Sequence, residues 1–426
     1  MRDEQLLEED TYFAIREEQL VRRLERSGHT RREILKRGAA GALLLAGAGR
    51  LASASPARAA TPAPTTPIVK PLPPEWFINY GTNAEMRWDS VPGLGYFIPN
   101  ERFFIRDHTS TPLIDARTWK LSLWGDGLRG SPTQTAPRTL SYRQLRSLPS
   151  VEIPAFIECA GNGRSFFSSQ QGTPASGTQW GLGAIGAARW RGVPLAEVLE
   201  RAGIVRGAVD VMPAGLDPDY VTGGVDYGAV RRPLPIAKAF RDAILAYEMN
   251  GQPLPPDNGY PVRLVVPGWV GVANIKWLGE LQVSKSALYS YWNTANYILE
   301  GPDYPTPIPV TQQVIKSAFE LGFNANLPNR PQVLSGRSWS GAAPIARVEI
   351  STDGGTSWHR ARLHGPNLPH AWVRWEHPWR PPGPGSYTLQ ARATDWAGNT
   401  QPATLPFNTL GYLFAAVVKH PVTVTG

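Results

Sequence analysis

Hardly any stretch of this 426-residue chain runs far without a glycine or a proline: it holds 42 of the first and 41 of the second. An average protein carries roughly 12% of the two together. Proline lacks the amide proton that a helix interior needs, and glycine loses the most backbone freedom on ordering. Helices here must be short, and strands and turns must carry the fold. Apolar residues make up 42% and charged residues only 18%, so a chain of this length can bury two real cores. Cys159 is the sole thiol, so no internal disulfide can staple those cores.

The N-terminal segment reads as an address rather than as structure. Residues 1–29 are dense in charges of both signs. Thr30-Arg31-Arg32-Glu33-Ile34-Leu35-Lys36 then leads into an apolar, Gly/Ala-rich run over 38–49, and Ala57-Arg58-Ala59 offers small residues for cleavage. That order makes an export signal, too short and glycine-rich for a stable membrane span. The paired arginines resemble a twin-arginine signal, which exports folded proteins. The expected mature chain starts near residue 60 and is periplasmic or otherwise extracytoplasmic, with no membrane span once the signal is gone. Residues 1–59 take 11 Lys+Arg and 9 Asp+Glu from totals of 43 and 35, which leaves a net charge of +6. The basic residues are scattered, which argues against nucleic acid and suits an anionic substrate or an acidic partner.

The remainder has two textures. Residues 60–75 read as a Pro/Thr/Ala-rich arm. From about 76 to 300 the pattern is mixed: a short helix over 193–203, with Pro194 in its first turn and Gly203 at its end. Residues 262–267 read as a buried strand entering Gly268-Trp269-Val270-Gly271, and 245–249 as a strand entering an Asn250-Gly251 turn. Residues 301–309, with prolines at 305, 307 and 309, read as a stiff linker. Beyond it, 347–351 and 387–393 alternate apolar and polar residues and run into Asp/Gly turns. Such spacing predicts a β-sandwich of immunoglobulin-like kind, without a cysteine pair to pin it. The expected class is α+β: a mixed α/β domain over 60–310, then the sandwich over 311–426.

The seven histidines form no pair at helical ligand spacing with a carboxylate, and CxxC is missing, so no zinc site is expected. G-x-S-x-G, Walker A and dinucleotide fingerprints are missing too. What stands out is Phe156-Ile157-Glu158-Cys159-Ala160-Gly161-Asn162-Gly163-Arg164-Ser165. A thiolate is both a nucleophile and a soft metal ligand. Arg164 would favour its charged form or hold an anion beside it. Three readings stand open here: a buried hydrophobe, a cysteine hydrolase pairing Cys159 with His108, and a metal ligand.

Cys159-Ala160-Gly161-Asn162, followed by the run 183–190, resembles the sulfite oxidase family of molybdenum enzymes. Residues 103–108, 246–255 and 259–268, with Lys276-Trp277-Leu278, extend the resemblance in family order. It implies molybdopterin, the pyranopterin dithiolene that carries molybdenum, with Cys159 as the thiolate ligand. A soft thiolate suits a metal already held by dithiolene sulfur. By the same resemblance Phe104, Ile105, Arg106, Asp107, His108, Asp217, Arg263, Asn274, Ile275 and Lys276 match cofactor-contacting positions. Asp217 would accept from pterin N–H groups, and Arg263 and Lys276 would face the phosphate. Asn258 stands where many members have a histidine. Arg106 and Arg164 match the anion-pocket arginines, Trp180 the aromatic wall and Tyr297 the active-site tyrosine. Arg374, or Val373 with a one-residue shift, is expected to be a third arginine from the second domain, which resembles the family's dimerisation domain.

The activity so implied is oxidation of sulfite, or a similar small oxyanion, to sulfate by oxygen-atom transfer in a homodimer. No C-x-x-C-H haem attachment occurs, so electrons would leave to an external acceptor such as cytochrome c. Alternatives are a related molybdenum enzyme oxidising sulfane sulfur or reducing nitrate or another oxide, and a non-catalytic binding module.

Overall fold

The computed structural model describes residues 65–426, so the export signal expected over 1–59 lies outside the described residues. The glycine and proline content does what it predicts. Among the described residues the longest helix is Arg164–Gln171, eight residues between Gly163 at φ 91° and Gly172 at φ 72°. The helix expected over 193–203 is Leu195–Arg201. It starts later because Val193 and Pro194 belong to the strand Ile185–Pro194, paired with Ile244–Met249. That second strand turns on Asn250 and Gly251, both at positive φ, as the sequence predicts.

The first unit is built on two sheets. One orders Leu234–Pro235, Asp210–Gly215, Leu278–Ser284, Lys120–Trp124 and Arg138–Ser141, with one parallel pairing, between Leu278–Ser284 and Lys120–Trp124. The other runs Gln252–Pro253, Ile244–Met249, Ile185–Pro194, Val151–Glu158, and Arg263–Val265 also pairs with Ile244–Met249. Both ends of the chain's chemistry issue from this second sheet: Cys159 follows Val151–Glu158, and Arg263 opens its own strand.

The segment expected to be a linker is a hairpin, Ile298–Gly301 against Tyr304–Pro309. Alternating prolines put every missing N–H on one side of the strand, away from the partner, so a two-stranded ribbon tolerates them. The second unit has sheets of four and five strands enclosing one core. Its alternation is as expected: Val348 and Ile350 are fully buried, while Arg347 and Glu349 pair outside. The two units share apolar packing, since Trp339 and Trp372 join the first unit's cluster. Trp88 Nε1 donates to the Phe319 carbonyl at 2.6 Å, and Trp372 Nε1 to that of Tyr96 at 2.8 Å. No helix among the described residues is long and apolar enough to cross a membrane.

Gly336 lets Trp375 lie against its strand: a Cβ there would stand 2.1 Å from the indole and 2.3 Å from the Ala318 carbonyl oxygen. Gly336→Ala is expected to lower the unfolding free energy by about 3 kcal/mol, the upper end of ordinary overpacking. A shift of the urea midpoint at constant slope would measure it.

Candidate active site

Cys159 follows the strand Val151–Glu158, whose eight-residue pairing with Ile185–Pro194 fixes where the thiol stands. The chain then turns sharply. Asn162 N–H donates to the Cys159 carbonyl and Arg164 N–H to that of Gly161, each at 2.9 Å. Inside the turn the Gly161 N–H donates to Cys159 Sγ at 3.4 Å. Gly271 packs against this strand end so closely that a Cβ would meet the Glu158 carbonyl oxygen at 2.8 Å. The glycine loop after residue 267 is therefore what lets the cofactor-side segment approach the thiol.

The thiol, 4% exposed, borders a cleft of about 680 Å³, counting the part open to solvent. Phe104, Arg106, Asp107, His108, Asp217, Asn258, Arg263, Asn274, Ile275, Lys276 and Tyr297 line it with Cys159. This brings together twelve of the sixteen side chains expected from the sequence. Ile105 does not line it, because strand alternation turns it into the core beside Ala84. Asn274 lines it while its amide serves its own loop: Oδ1 accepts from Val266 N–H at 2.7 Å and Nδ2 donates to the Val270 carbonyl at 3.2 Å.

The cleft is rich in cations. Arg263 donates from both terminal nitrogens to the carbonyls of Asn258, at 3.0 Å, and Asn274, at 3.1 Å. Its Nε, and Asn258 Oδ1, have no hydrogen-bond partner among the described residues. Burial alone pushes the Arg263 guanidinium down to about 9. Lys276 pairs with Asp107 and donates to the Asp257 carbonyl at 2.8 Å. Burial, with Arg106 and Lys70 nearby, still pushes it well below the ordinary lysine value.

Tyr297 is the hub of the other end. Its hydroxyl accepts from Arg106 at 3.3 Å and lies 2.9 Å from His108 Nε2. Burial pushes the hydroxyl up, and burial followed by Arg106 pushes His108 well down, so both groups are neutral. Tyr412 stacks on Tyr297 at 4.9 Å, and the Arg164 guanidinium lies 5.2 Å from the Tyr412 ring centroid. Arg164 does not line the cleft itself. It donates from Nε to the Leu410 carbonyl at 2.8 Å and from one terminal nitrogen to that of Thr178 at 2.7 Å.

Two further expectations fail in position. Arg374 is outside the cleft: it stands in the sandwich strand Trp372–Trp379, opposite Arg337, because that strand's register directs it there. Val373, the one-residue alternative, is buried in the sandwich core. The second unit reaches the site instead through residues 408–416, which supply Tyr412 and the Leu410 carbonyl. Trp180 is a core residue, 1% exposed, edge-on to Tyr80 rather than a wall of the cleft. Sequence reasoning also missed Arg232, buried with its guanidinium on the Trp292 and Val310 carbonyls. Neither Tyr412 nor Arg232 sits in a motif; only long-range packing reveals them.

Residues 108–292 match the model of the oxidoreductase molybdopterin binding domain, and 308–424 that of the Mo-co oxidoreductase dimerisation domain. Mouse (Mus musculus) mitochondrial sulfite oxidase is 36% identical over 330 residues, 73% of this chain. Chicken (Gallus gallus) sulfite oxidase is 36% identical over 327 residues, covering 72% of this chain and 68% of that one. The chain belongs to the sulfite oxidase family. It spans 58% of the mouse protein's length. In structure it is similar to the sulfane dehydrogenase SoxCD of Paracoccus pantotrophus, with a TM-score of 0.68 and 27% identity over 79% of this chain and 83% of that one. The cofactor of this family is molybdopterin carrying molybdenum.

The site fits that group. Among the described residues no three His, Cys, Asp or Glu side chains converge on a metal position, so a metal at Cys159 takes further ligands from a cofactor. The orphaned Arg263 Nε and Asn258 Oδ1 offer a donor and an acceptor to a polar, anionic ligand.

The described part of the arm expected over 60–75 closes one flank. Val69 and Lys70 N–H groups donate to the Asp257 carboxylate at 2.9 Å each, and Lys70 Nζ donates to the Phe103 carbonyl. Burial pushes Lys70 down to about 7. The unfolded chain keeps that proton to about 10.5, so stability must rise as pH climbs from 7 to 10.5. Lys70→Met is expected to flatten this rise, read as the denaturation midpoint across that range.

Proposed function

We propose that this protein oxidises sulfite to sulfate at molybdenum held by molybdopterin and Cys159. The observation that carries the reading is the single buried thiol in a cationic cleft, with Arg106 joined to Tyr297 and His108 beside it. When bound, the cofactor supplies two-electron oxygen-atom exchange. The chain's own groups bind and orient. Arg106 is fixed by hydrogen bonds to the Asp107 carbonyl and the Tyr297 hydroxyl, with Arg164 held behind it on the Leu410 and Thr178 carbonyls, so the positive charge is preorganised for an oxyanion rather than recruited by it. Tyr297, kept protonated by burial, takes a hydrogen bond from Arg106 and shares one with His108. It keeps its proton and can share it as a hydrogen bond with the neutral imidazole or with a ligand in the cleft. Arg263, Lys276 and Asn258 would hold the polar end of the cofactor, and Asp217 the pterin N–H groups.

The protein is expected to act as a homodimer through the second unit and to leave the cytoplasm by the twin-arginine route. Electrons would pass one at a time to an external acceptor such as cytochrome c. A second reading, oxidation of sulfane sulfur, is favoured by one feature. Among the described residues no arginine of the second unit lines the cleft, and one solved neighbour is a sulfane dehydrogenase. A cleft with fewer cations suits a larger, less charged sulfur group than sulfite.

The deciding measurement is molybdenum per chain, followed by sulfite-dependent reduction of ferricyanide or cytochrome c. Near-stoichiometric metal with turnover that is lost in Cys159→Ser is the expected result. Full metal with turnover only on protein-bound sulfane sulfur would install the second reading. Absence of metal in matured protein would sink both. Arg106→Gln is expected to raise KM for sulfite roughly 10-fold or more, the scale of one charge-assisted hydrogen bond, with a smaller fall in kcat.

A further inference from the structure

Glu158 and Lys316 form an ion pair inside the protein, Nζ to Oε1 2.6 Å, with side chains 0% and 5% exposed. They come from different units. Glu158 immediately precedes Cys159, and Lys316 opens the sandwich strand Lys316–Phe319. The rest of the carboxylate is filled as well: Asn162 Nδ2 donates to Oε1 and Trp339 Nε1 to Oε2, each at 2.9 Å. Trp339 is the cross-strand partner of Lys316. Lys316 Nζ also donates to the Asn162 carbonyl at 2.7 Å. One ammonium group thus grips the chain on both sides of the thiol. From the same unit, Leu413 N–H donates to the Ala160 carbonyl at 2.8 Å.

A buried ion pair adds little net stability, because desolvation offsets the attraction, yet removing one partner is costly. Its effect here is geometric. Glu158, Asn162 and Lys316 fix the turn that sets the Gly161 N–H on Cys159 Sγ. Hydrogen bonds onto a ligating sulfur, and the groups that orient it, tune metal sites. We propose that Lys316 is a positioning residue for Cys159, through which the second unit shapes the thiol's turn and sets how firmly molybdenum is retained. The metal half of this rests on the reading of Cys159 as the ligand.

Because Cys159 is the only thiol, its alkylation rate in the cofactor-free full chain reads the turn directly. Molybdenum content after dialysis and the Mo(V) electron paramagnetic resonance signal of the holoenzyme read the metal. In Lys316→Met, well below the unfolding transition, alkylation should quicken by roughly 10-fold, the scale of a lost charge-assisted hydrogen bond. Retained molybdenum should fall in parallel, the Mo(V) signal should broaden or shift, and Lys316→Arg should recover most of the loss. Glu158→Gln, nearly isosteric, should move the same readouts less and decides the matter if Lys316→Met does not fold. Variants that melt earlier but keep parental thiol protection and an unchanged Mo(V) signal would make the pair a mere stabiliser and overturn the proposal. An unchanged Mo(V) signal in Cys159→Ser would instead overturn the ligand reading, and with it the metal half, whatever the alkylation rates.

Discussion

Positive charge buried ahead of its counter-charge is the condition on which this site is built. Arg106, Arg263 and Lys276 line the cleft, and Arg164 and Arg232 stand buried behind it. Burying a cation without a partner is expensive, and the usual outcome is a lowered pKa. Arg263 at about 9 and Arg232 at about 10 are that outcome, written on residues that normally never titrate. The nearby carboxylates do not relieve it. Asp257 is occupied by the arm and Thr111, and Asp107 by Lys276 and Thr111. The cleft therefore gains stability when an anionic ligand enters, and the fold is linked to loading by mass action.

The same electrostatics separates the cleft into two ends. Arg263, Asn258 and Lys276 give one end polar groups suited to an anionic ligand, while Arg106, Tyr297 and His108 form a compact polar group beside the thiol. Neutral His108 and protonated Tyr297 add hydrogen-bonding capacity there without adding charge. The site is also not the property of one domain. Tyr412, the Leu410 carbonyl and Lys316 all come from beyond the hairpin at 298–309. With Trp339 and Trp372 in the first unit's core, the sandwich is structural support for the cysteine turn.

What the sequence revealed follows the range of each interaction. Short helices, the Asn250-Gly251 turn and the alternation around Val348 and Ile350 are local consequences of residue type, and all are present. Cys159, Arg106 and Arg263 were legible through local blocks of residues whose order matched a family. The hairpin over the proline run was not, because edge pairing depends on a partner strand and not on the prolines themselves. Arg374 was misassigned because a strand's register, not its composition, decides which arginine reaches a neighbouring domain. Tyr412 and Lys316 lie 253 and 157 residues from Cys159 in the chain. Their roles arise from packing alone.

Backbone strain points to the same centre as charge. Among the non-glycine residues at positive φ, Trp277 at 49°, Tyr297 at 55° and Leu413 at 57° all border or brace the site. Each such residue costs on the order of 1 kcal/mol or more, so its surroundings must hold it. Trp277 is held at its ring by the Pro256 carbonyl and at its own carbonyl by Leu216 N–H, both at 2.8 Å. Tyr297 is held by Asn296 Oδ1 and Val310 N–H, both at 2.9 Å, and Leu413 by Ala160. Those contacts fix the Tyr297 hydroxyl and the thiol turn before any ligand arrives. A site that spends its strain and its desolvation during folding has less left to reorganise when charge moves during reaction, which is the physical content of preorganisation. The two kinds of cost fall on different residues around the same cleft because both are ways of holding polar groups where water would not.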